Sequence, residues 1–262
     1  MINNPFFSIV TVCWNAEKEI EKTLESVACQ DCKSYEYIII DGASSDETLS
    51  IIKRYEDLID TLVSEKDKGI YNAMNKGLRL AHGKYVIFMN AGDAFADYNV
   101  LSKIKKYIDE QYVIPSIVYG NYVRICQDSA TQIIPARSAK NGWYGMFASH
   151  QSMFYQLEFL RREDLEYDET YKIAADYKIT LEIVKLSSKD QILQVPICVS
   201  RFDLGGISTL HQNDGLFEAD RVRKEVLGMS SITRWCIRTL QLVARILREN
   251  KNFKMVYSIL RY

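Results

Sequence analysis

Polar and acidic side chains follow four successive apolar segments in the first hundred residues, at the points where these segments end. In chain order they are Thr11 and Asn15, then Asp41, then Glu65 and Asp67, and finally Asp93. A divalent cation such as Mg²⁺ or Mn²⁺ prefers oxygen ligands and can be held by one or two carboxylates together with phosphates. Acids after three successive segments therefore indicate a binding site that would suit a phosphate-bearing ligand.

The segments that carry these residues alternate between strand and helix patterns. FFSIVTV at 6–12 is a continuous apolar run, and the following EKEIEKTLESV repeats apolar residues at helical spacing. Asn15 and Ser45 are the expected caps of the first two helices. Further strands are predicted at 36–42, 61–65 and 85–90, with helices over 46–55 and from Gly69 to residue 82.

This alternation predicts the fold class. Short strands that are buried on both faces and joined by single helices are typical of an α/β, Rossmann-like, mostly parallel sheet flanked by helices. In such a sheet the carboxyl ends of the strands open into a crevice where ligands bind. We therefore expect the polar residues at the four strand ends to share one pocket.

The fourth strand runs from Phe88 directly into Asn90, Ala91, Gly92 and Asp93. The two small residues leave room for a diphosphate to approach the backbone. The carboxylate is predicted to hold a divalent cation that acts as a Lewis acid on the phosphates. The alternative is that the same acid caps a helix expected near 97–110.

The second half of the chain carries residues that suit an acceptor-binding region. Strand patterns cover SIVYGNYVRI at 116–125 and QILQVPICVSRF at 191–202, with an irregular stretch to about residue 147 between them. Asp176 begins a helical segment and is either an acid favoured by the helix dipole or a general base. His150 is expected to contact donor or acceptor beside Gln151, and Trp143 either stacks on an acceptor sugar or packs in the core.

Several motifs together resemble family 2 glycosyltransferases with the GT-A fold. They are SIVTVCWN, IIIDGASSDET, SEKDKGIYNAMNKG, GKYVIFMNAGD, SHQ, AADYKI and GGIST, spread over roughly residues 6 to 210. The resemblance implies an inverting transfer of a sugar from a nucleotide-sugar donor. It is strongest to the bacterial branch that builds O-antigen, capsule and related surface polysaccharides. O-antigen is the outer part of lipopolysaccharide.

The resemblance also implies roles for individual residues. Asp176 would be the catalytic base, and Asp93 would bind Mn²⁺ or Mg²⁺, with His211 after the GGIST motif as a weaker second ligand. The family's acidic motif carries further carboxylates where this chain has Asn90 and Gly92, although the amide keeps an oxygen. The donor would be held by Thr11, Asn15, Asp41, Asp67, Asn90, Ala91 and Gly92, and the wall of the pocket would include His150, Gln151 and Trp143.

The charge of the chain is small overall but uneven. The net charge is −1 for 262 residues, which argues against a nucleic-acid binder. From Ser230 onwards seven Lys and Arg residues face one acid, so this tail is +6 and the remainder is −7. Residues 232–248 form a predicted amphipathic helix with an apolar arc opposite four arginines. The apolar arc contains Ile232, Trp235, Cys236, Leu240, Leu242, Val243, Ile246 and Leu247, and the arginines are Arg234, Arg238, Arg245 and Arg248.

The basic helix has two interpretations. It packs its apolar face on the body and leaves the arginines in water, or it docks on the inner leaflet of a membrane through its apolar face and its positive charge. The second suits an enzyme whose acceptor is a saccharide linked to a polyprenyl diphosphate. We predict a GT-A domain over 1–229, with a nucleotide-sugar half to about 115 and an acceptor half over 116–229, followed by the helical segment 230–262.

The predicted location is cytoplasmic, peripheral on the inner face of the bacterial inner membrane. The N-terminus lacks the features of a signal peptide, and no stretch approaches the ~18 apolar residues that a spanning helix needs. Six scattered cysteines agree with a reducing compartment.

Other function classes fit less well. A nucleotidyltransferase usually has a glycine-rich basic loop after the first strand, where this chain has the acidic CWNAEKEIEK, and an oxidoreductase would need G-x-G-x-x-G there. Two alternatives remain open, which are a non-catalytic nucleotide-sugar-binding membrane scaffold and a transferase that uses a GDP-sugar rather than the expected UDP-sugar.

Overall fold

The computed structural model describes residues 5–125, 130–203 and 212–249. Nine strands in these ranges form one mixed sheet, with the order β3-β2-β1-β4-β8-β6-β9-β5 and β7 paired to β6. The strands are β1 (Phe7–Cys13), β2 (Tyr35–Asp41), β3 (Thr61–Ser64), β4 (Tyr85–Phe88), β5 (Ala94–Phe95), β6 (Ile117–Ile125), β7 (Thr131–Ile134), β8 (Met153–Gln156) and β9 (Ile192–Asp203).

Helices cover both faces of this sheet. They are α1 (Ile20–Ala28), α2 (Thr48–Lys53), α3 (Ile70–Leu80), α4 (Val100–Asp109), α5 (Leu157–Arg162), α6 (Ala175–Leu186), α7 (Gln212–Glu225) and α8 (Ser231–Glu249). One buried cluster packs Met74 of α3 and Ile179 of α6 on the sheet, and a second packs Leu24 of α1 and Ile104 of α4. The predicted α/β class with helices around a central sheet is confirmed.

The first four strands are parallel, as predicted. β1 pairs with β2 along its whole length, from Phe7 opposite Tyr35 to Cys13 opposite Asp41. β3 continues the register, since Asp41 lies opposite Ser64, and β4 pairs with the other side of β1. All seven residues of β1 are buried, which is the burial expected for a strand inside a parallel sheet. The four strands therefore end at the same edge of the sheet.

The second half of the chain extends the same sheet. β8 runs antiparallel to both β4 and β6, and β9 pairs in parallel with β6 through an irregular register around Asn121. The predicted nucleotide-sugar half and acceptor half thus contribute strands to one continuous sheet. Asp176 begins α6 as expected, and Ile179, Leu181 and Ile183 are buried, but Leu186 is half exposed rather than packed inward.

Three predicted helix caps are wrong. α1 begins at Ile20, well after Asn15, whose backbone has a left-handed φ of 47°. α2 begins at Thr48 rather than after Ser45. α4 begins at Val100, so the alternative role of Asp93 as its cap is excluded. In each case the loop between strand end and helix is longer than periodicity indicated, and these loops are what form the edge of the sheet.

The C-terminal helix α8 turns its basic side toward the body. Arg234 forms an ion pair with Asp220 of α7, and the guanidinium carbon of Arg238 lies 4.9 Å from the ring centroid of Phe217. Ile237, between these arginines, is buried. The part of the first interpretation that packs the apolar face on the body is therefore wrong, whereas its arginines divide, since Arg234 pairs with α7 and Arg238 is exposed.

The apolar face of α8 is exposed instead. Trp235 exposes 67% of its surface, and the described members of the predicted arc that share this exposure are Ile232, Cys236, Leu240, Leu242 and Val243. The helical wheel was correct about which residues share a face. Among the helices of the described ranges, none combines the length and the apolar character that crossing a membrane requires.

Gly83, just before β4, packs closely against the backbone at the start of β1. A Cβ atom at this position would be 2.6 Å from the backbone nitrogen of Ser8 and 2.7 Å from the carbonyl carbon of Phe7. We expect Gly83→Ala to lower the free energy of unfolding by about 1–3 kcal/mol, because the sheet must move to admit the methyl group. Urea unfolding followed by circular dichroism measures this. His82→Ala, which removes a side chain that is 69% exposed, is the control, and equal losses in both variants would contradict the packing argument.

Candidate active site

The loops that leave the first four strands lie side by side. The Gly42 N–H donates to the Cys13 carbonyl at 2.9 Å, the Glu65 N–H to the Asp41 carbonyl at 3.0 Å, and the Ala91 N–H to the Val12 carbonyl at 3.2 Å. Each loop is therefore tied to the end of the neighbouring strand. We call this part of the molecule, residues 13–15, 41–46, 64–69 and 89–93, the strand-end edge.

Asp41 lies beneath the surface of the strand-end edge. It is fully buried, and its carboxylate accepts hydrogen bonds from the Ser44 N–H at 3.0 Å, the Ser44 hydroxyl at 2.5 Å and the Ser64 hydroxyl at 2.6 Å. Burial next to this carboxylate raises the pKa of the Cys13 thiol. Asp41 thus holds two loops together, and its expected contact with a nucleotide stays a prediction.

Thr11 lies deeper still. It is fully buried, its hydroxyl donates to the Met89 carbonyl at 2.7 Å, and it shares a 2.9 Å hydrogen bond with the Tyr37 hydroxyl. These bonds fix the end of β4 against β1. This position supports the strand-end edge from behind and does not favour the expected contact between Thr11 and a nucleobase.

Trp14 is the exposed residue of this edge that sequence reasoning missed. It is 69% exposed, and its Cβ and Cδ1 atoms lie 3.3 and 3.4 Å from where a Cβ on Gly42 would stand. Asp67 lies at the same glycine, with Oδ2 at 3.2 Å from that point. An indole beside a glycine and a carboxylate can stack on a planar base and leave the acid to hydrogen-bond. The available signal was a tryptophan placed directly after a buried strand.

Asp67 and Asn15 are each engaged with the protein as well. Lys76 of α3 lies 2.5 Å from Asp67 Oδ1 and 2.8 Å from Glu65 Oε1, so this lysine neutralises the acids after β3. The Asn15 side-chain oxygen accepts from the Ser45 N–H at 2.9 Å and orders the loop after β2. Both residues lie on the strand-end edge, as predicted, and their nucleotide contacts remain predictions.

The loop after β4 is held by a single threonine of α1. The buried Thr23 hydroxyl accepts from the Gly92 N–H at 3.0 Å and donates to the Asp93 carbonyl at 2.7 Å. Gly92 has φ of 94°, a conformation that side chains with a Cβ rarely adopt. Thr23 therefore sets the turn that carries Asn90, Ala91 and Asp93 at the end of the strand.

The same loop suits a divalent cation that takes only a few of its ligands from the protein. The side-chain oxygen of Asn90 is buried and has no hydrogen-bond partner in the described part of the chain. Such an oxygen is an acceptor without its usual compensation, and Asp93, three residues on, adds a carboxylate. Mg²⁺ and Mn²⁺ sites that take most ligands from phosphates and water need no more than this from the protein.

No larger metal site is present in residues 5–125, 130–203 and 212–249. These ranges contain no group of three or more His, Cys, Asp or Glu side chains that could hold an ion. His211, the second expected ligand, lies outside the described residues. A fully protein-made cation cage is thus not part of the described chain, and the expectation rests on Asp93 and Asn90.

Asp176 lies in the first turn of α6, against α3. Its Oδ1 accepts from the Tyr177 N–H at 2.8 Å, and the Tyr71 side chain of α3 lies nearby, with its hydroxyl on the Ile173 carbonyl. Desolvation by burial raises the pKa of Asp176 to about 6. A carboxylate with this pKa is ionised at neutral pH and is a stronger base than an exposed one, as a general base requires.

His150 is a buried residue that packs behind the region of Asp176. It is 6% exposed, its ring stacks on Phe88 at 5.6 Å, and its Nε2 makes a 2.7 Å hydrogen bond with the Tyr167 hydroxyl. Burial lowers the pKa of His150 to about 4, so the ring is neutral at physiological pH. A buried neutral imidazole of this kind positions Tyr167, which in turn stacks on Tyr71 at 5.7 Å beside the candidate base.

Trp143 and Gln151 lie on separate segments of the second half. Trp143 is 42% exposed, so it is not part of the core, and its carbonyl accepts from the buried Arg223 of α7. Gln151 is partly exposed, and its side-chain oxygen accepts from the Ser149 hydroxyl at 2.6 Å. The first remains available to stack on a ligand, and contacts of either residue with donor or acceptor stay predictions.

Known proteins share this arrangement. A family model described as "Glycosyl transferase family 2" matches residues 8–166. A PGL/p-HBAD biosynthesis glycosyltransferase of Mycobacterium tuberculosis is 27% identical over 218 residues, which cover 78% of this chain and 79% of that protein.

Two solved structures share the fold. Residues 1–349 of S. aureus TarS in complex with UDP-GlcNAc match with a TM-score of 0.67 and 18% identity, over 88% of this chain and 70% of that one. The mannosyltransferase PcManGT of Pyrobaculum calidifontis in complex with GDP-Man and Mn²⁺ matches with a TM-score of 0.64 and 16% identity, over 98% and 84%. These likenesses show that the chain has the GT-A fold.

Thr23 allows a direct test of the loop that carries Asp93. Thr23→Val keeps the shape of the side chain but leaves the Gly92 N–H and the Asp93 carbonyl unpaired, so we expect a loss of about 1–3 kcal/mol in the free energy of unfolding. Hydrogen exchange at the Gly92 amide should accelerate in the same variant. Thr23→Ser retains the hydroxyl and should keep that amide protected. Equal acceleration in both variants would mean that packing, rather than the hydrogen bonds, holds the loop.

Proposed function

Because the chain belongs to glycosyl transferase family 2, we propose that it transfers a sugar from a UDP-sugar to a lipid-linked saccharide during the biosynthesis of a bacterial surface polysaccharide. The observation that carries this proposal is the pairing of the strand-end edge with Asp176, a partly buried carboxylate with a pKa of about 6. Tyr71 connects the two, since it lies in the first turn of α3, soon after the loop that bears Asp67, and its hydroxyl donates to the Ile173 carbonyl in the segment that leads into Asp176.

The donor is placed along the strand-end edge. Trp14 offers an exposed ring for the base, and Asp67 offers a hydrogen-bond acceptor beside it. The S. aureus neighbour was solved with UDP-GlcNAc, which supports a uridine nucleotide, whereas the P. calidifontis neighbour holds GDP-Man and supports a guanosine one. We favour UDP and treat a GDP-sugar as the alternative that the assay decides.

The diphosphate of the donor is placed at the loop after β4. Asp93 and the unpartnered oxygen of Asn90 would hold the Mn²⁺ or Mg²⁺ ion. When bound, the ion supplies Lewis-acid stabilisation of the departing diphosphate. The Mn²⁺ in the P. calidifontis complex supports this placement. The turn at Gly92, fixed by Thr23, presents a backbone without a side chain to the phosphates.

Asp176 is placed as the general base. It removes the proton from the acceptor hydroxyl while that oxygen attacks the anomeric carbon from the face opposite the diphosphate, so the configuration of the sugar inverts. The neutral His150 and Tyr167 beneath it keep this region dry, which holds the pKa of Asp176 above that of an exposed carboxyl. A carboxyl group whose pKa is raised in this way suits a general base, which argues against the alternative of a non-catalytic scaffold.

The acceptor is placed beside a lipid surface. The exposed apolar face of α8 suits insertion at the boundary of an anionic bilayer, with the protein peripheral on the cytoplasmic face of the inner membrane. Gln241 of α8 donates to the Tyr144 carbonyl at 2.6 Å, so this helix contacts the segment that bears Trp143.

A transfer assay tests the proposed function. Purified protein should release UDP from a UDP-sugar and glycosylate a polyprenyl diphosphate-linked saccharide only with Mn²⁺ or Mg²⁺ present. Asp176→Asn should lower kcat by about 10²–10⁴-fold because the proton acceptor is lost. Asp93→Asn should raise the cation concentration needed for half-maximal rate, and Asp97→Asn, at an exposed acid on the next turn, should change neither.

The pH profile adds a second criterion. Asp176 must be deprotonated to act, so kcat of the wild type should fall as the pH drops through about 6 and should level off above it. Nucleotide-sugar binding without turnover at any pH would favour the scaffold alternative and contradict the proposal. Faster turnover of GDP-sugars would replace UDP by GDP and keep the rest.

Docking on lipid is tested with the exposed face of α8. Wild-type protein should sediment with vesicles that contain phosphatidylglycerol. The variant Trp235→Glu/Leu242→Glu should bind at least about tenfold more weakly, because burying one large apolar side chain contributes about 1.5–3 kcal/mol. Gln111→Glu adds a negative charge just after α4, on an exposed residue outside α8, and should bind as the wild type does. Unchanged binding of the double variant, abolished by salt, would show that charge rather than the apolar face drives docking.

A further inference from the structure

Helix α7 lies along residues 170–174, the segment that leads into α6 and Asp176. Arg221 Nη2 donates to the Thr170 hydroxyl at 3.1 Å, and its guanidinium lies 4.2 Å from the ring centroid of Tyr171. The Tyr171 hydroxyl donates to Glu225 Oε2 at 2.7 Å. Two side chains of α7 thus fix the start of this segment. Both α7 and Asp176 lie beyond residues 8–166, which the family model matches.

Glu218 of α7 fixes the end of the segment. Its Oε1 accepts from the Lys172 N–H at 2.8 Å, and its Oε2 accepts from the Ile173 N–H at 2.8 Å and the Ala174 N–H at 2.9 Å. One carboxylate therefore binds three consecutive backbone amides. Hydrogen bonds to an ionised acceptor are about twice as strong as neutral ones, so this contact constrains the backbone strongly. The next two residues are Ala175 and Asp176.

The opposite side of the same peptide is held by α3. The Tyr71 hydroxyl donates to the Ile173 carbonyl, while the Ala174 N–H of the same peptide group donates to Glu218. The peptide groups around Ile173 are thus fixed from two elements at once. A change in their orientation would rotate the first turn of α6 and displace the carboxylate of Asp176 from its place beside Tyr71.

We propose that Glu218 is a positioning residue for Asp176, which it holds in place through the backbone of residues 172–174. The proposal rests on the proposed function, since it assigns Asp176 as the general base. Glu218 does not itself touch the carboxylate that moves the proton. It sets where that carboxylate stands relative to Tyr71 and the strand-end edge.

The charge of Glu218 supplies an independent signature. Four ionisable groups face Asp176. They are Tyr71 of α3, Tyr155 of β8, Tyr167 in the loop after α5, and Glu218 of α7. Burial raises the pKa of each of these tyrosines, so they keep their protons and carry no charge. The negative charge of Glu218 adds to burial in raising the pKa of Asp176. Removing it should lower that pKa, which a purely structural role in folding would not do.

The test compares Glu218→Gln and Glu218→Ala with Glu182→Gln in the full chain. Glu182 lies on α6, six residues after Asp176, and pairs with Lys178 at 3.3 Å, so its variant removes a carboxylate charge that does not face Asp176 and leaves the three amides untouched. The carboxyl carbon of Asp176 is titrated by NMR in protein labelled at aspartate, and kcat and the KM of the UDP-sugar are measured alongside.

We expect Glu218→Gln to lower the pKa of Asp176 and to shift the acid limb of kcat to lower pH. Glu218→Ala should lower kcat by about 10²-fold with little change in the KM of the donor, the cost of misplacing a catalytic group by about an ångström. Glu182→Gln should change neither quantity. If Glu218→Ala does not fold, Glu218→Gln, which has the same shape, decides the question.

Two results would overturn the proposal. One is a folded Glu218→Gln protein in which the titration of Asp176 and the kcat profile both match the wild type. The other is a fall in kcat that comes with an equal change in donor KM and an unmoved titration of Asp176, which indicates general loss of structure. A wild-type protein that transfers no sugar, yet whose Asp176 titration moves in Glu218→Gln, would remove the proposed function and leave the connection between the two acids standing.

Discussion

The parallel register of β3, β2, β1 and β4 is the constraint on which the rest of the structure depends. Because Cys13 lies opposite Asp41, and Asp41 opposite Ser64, the strands end at the same level, and the loops that follow them are adjacent. A shift of one residue in β2 would turn every side chain to the opposite face of the sheet and would move the Asp41 carboxylate away from the Ser64 hydroxyl, so this buried polar contact helps to hold the register. The chemistry at the edge is thus a consequence of how an apolar interior packs.

Polar groups below the surface convert that register into a fixed site. Asp41 binds hydroxyls from two loops, Thr11 joins β1 to the end of β4, and Thr23 sets the turn at Gly92. Each is buried and hydrogen-bonded, so it orders the residues above it. Glu218 does the same for the other side of the site, from a helix far along the chain. Trp14 has the largest side chain among the exposed residues of the strand-end edge.

Periodicity predicted the order of the strands and most helices, because buried strands read as unbroken apolar runs and the helices that cover them repeat every three to four residues. The two-residue β5 and the largely exposed β7 have no such run and went unpredicted, and the short buried strand β8 was missed as well. Helix caps failed because Asn15 and Ser45 bind each other across two loops, which only the fold reveals. The start of α6 was predicted at Asp176, but the raised pKa of this residue depends on burial among other elements and on the charge of Glu218. The helical pattern of apolar residues showed which face of α8 is apolar, but it did not show which face contacts the rest of the protein.

The outward apolar face of α8 has a consequence for how the molecule searches for a partner. In the proposed docking, a protein with one exposed apolar helix face would adsorb at the membrane surface in a single orientation, with its sheet at a constant angle to that plane. Once adsorbed, it diffuses in two dimensions, and encounters with another molecule confined to the same plane are governed by an effective surface concentration rather than by bulk dilution. Arg234 of α8 forms an ion pair with Asp220 of α7. The orientation of the adsorbed face would therefore also fix the orientation of α7, the helix that carries Glu218.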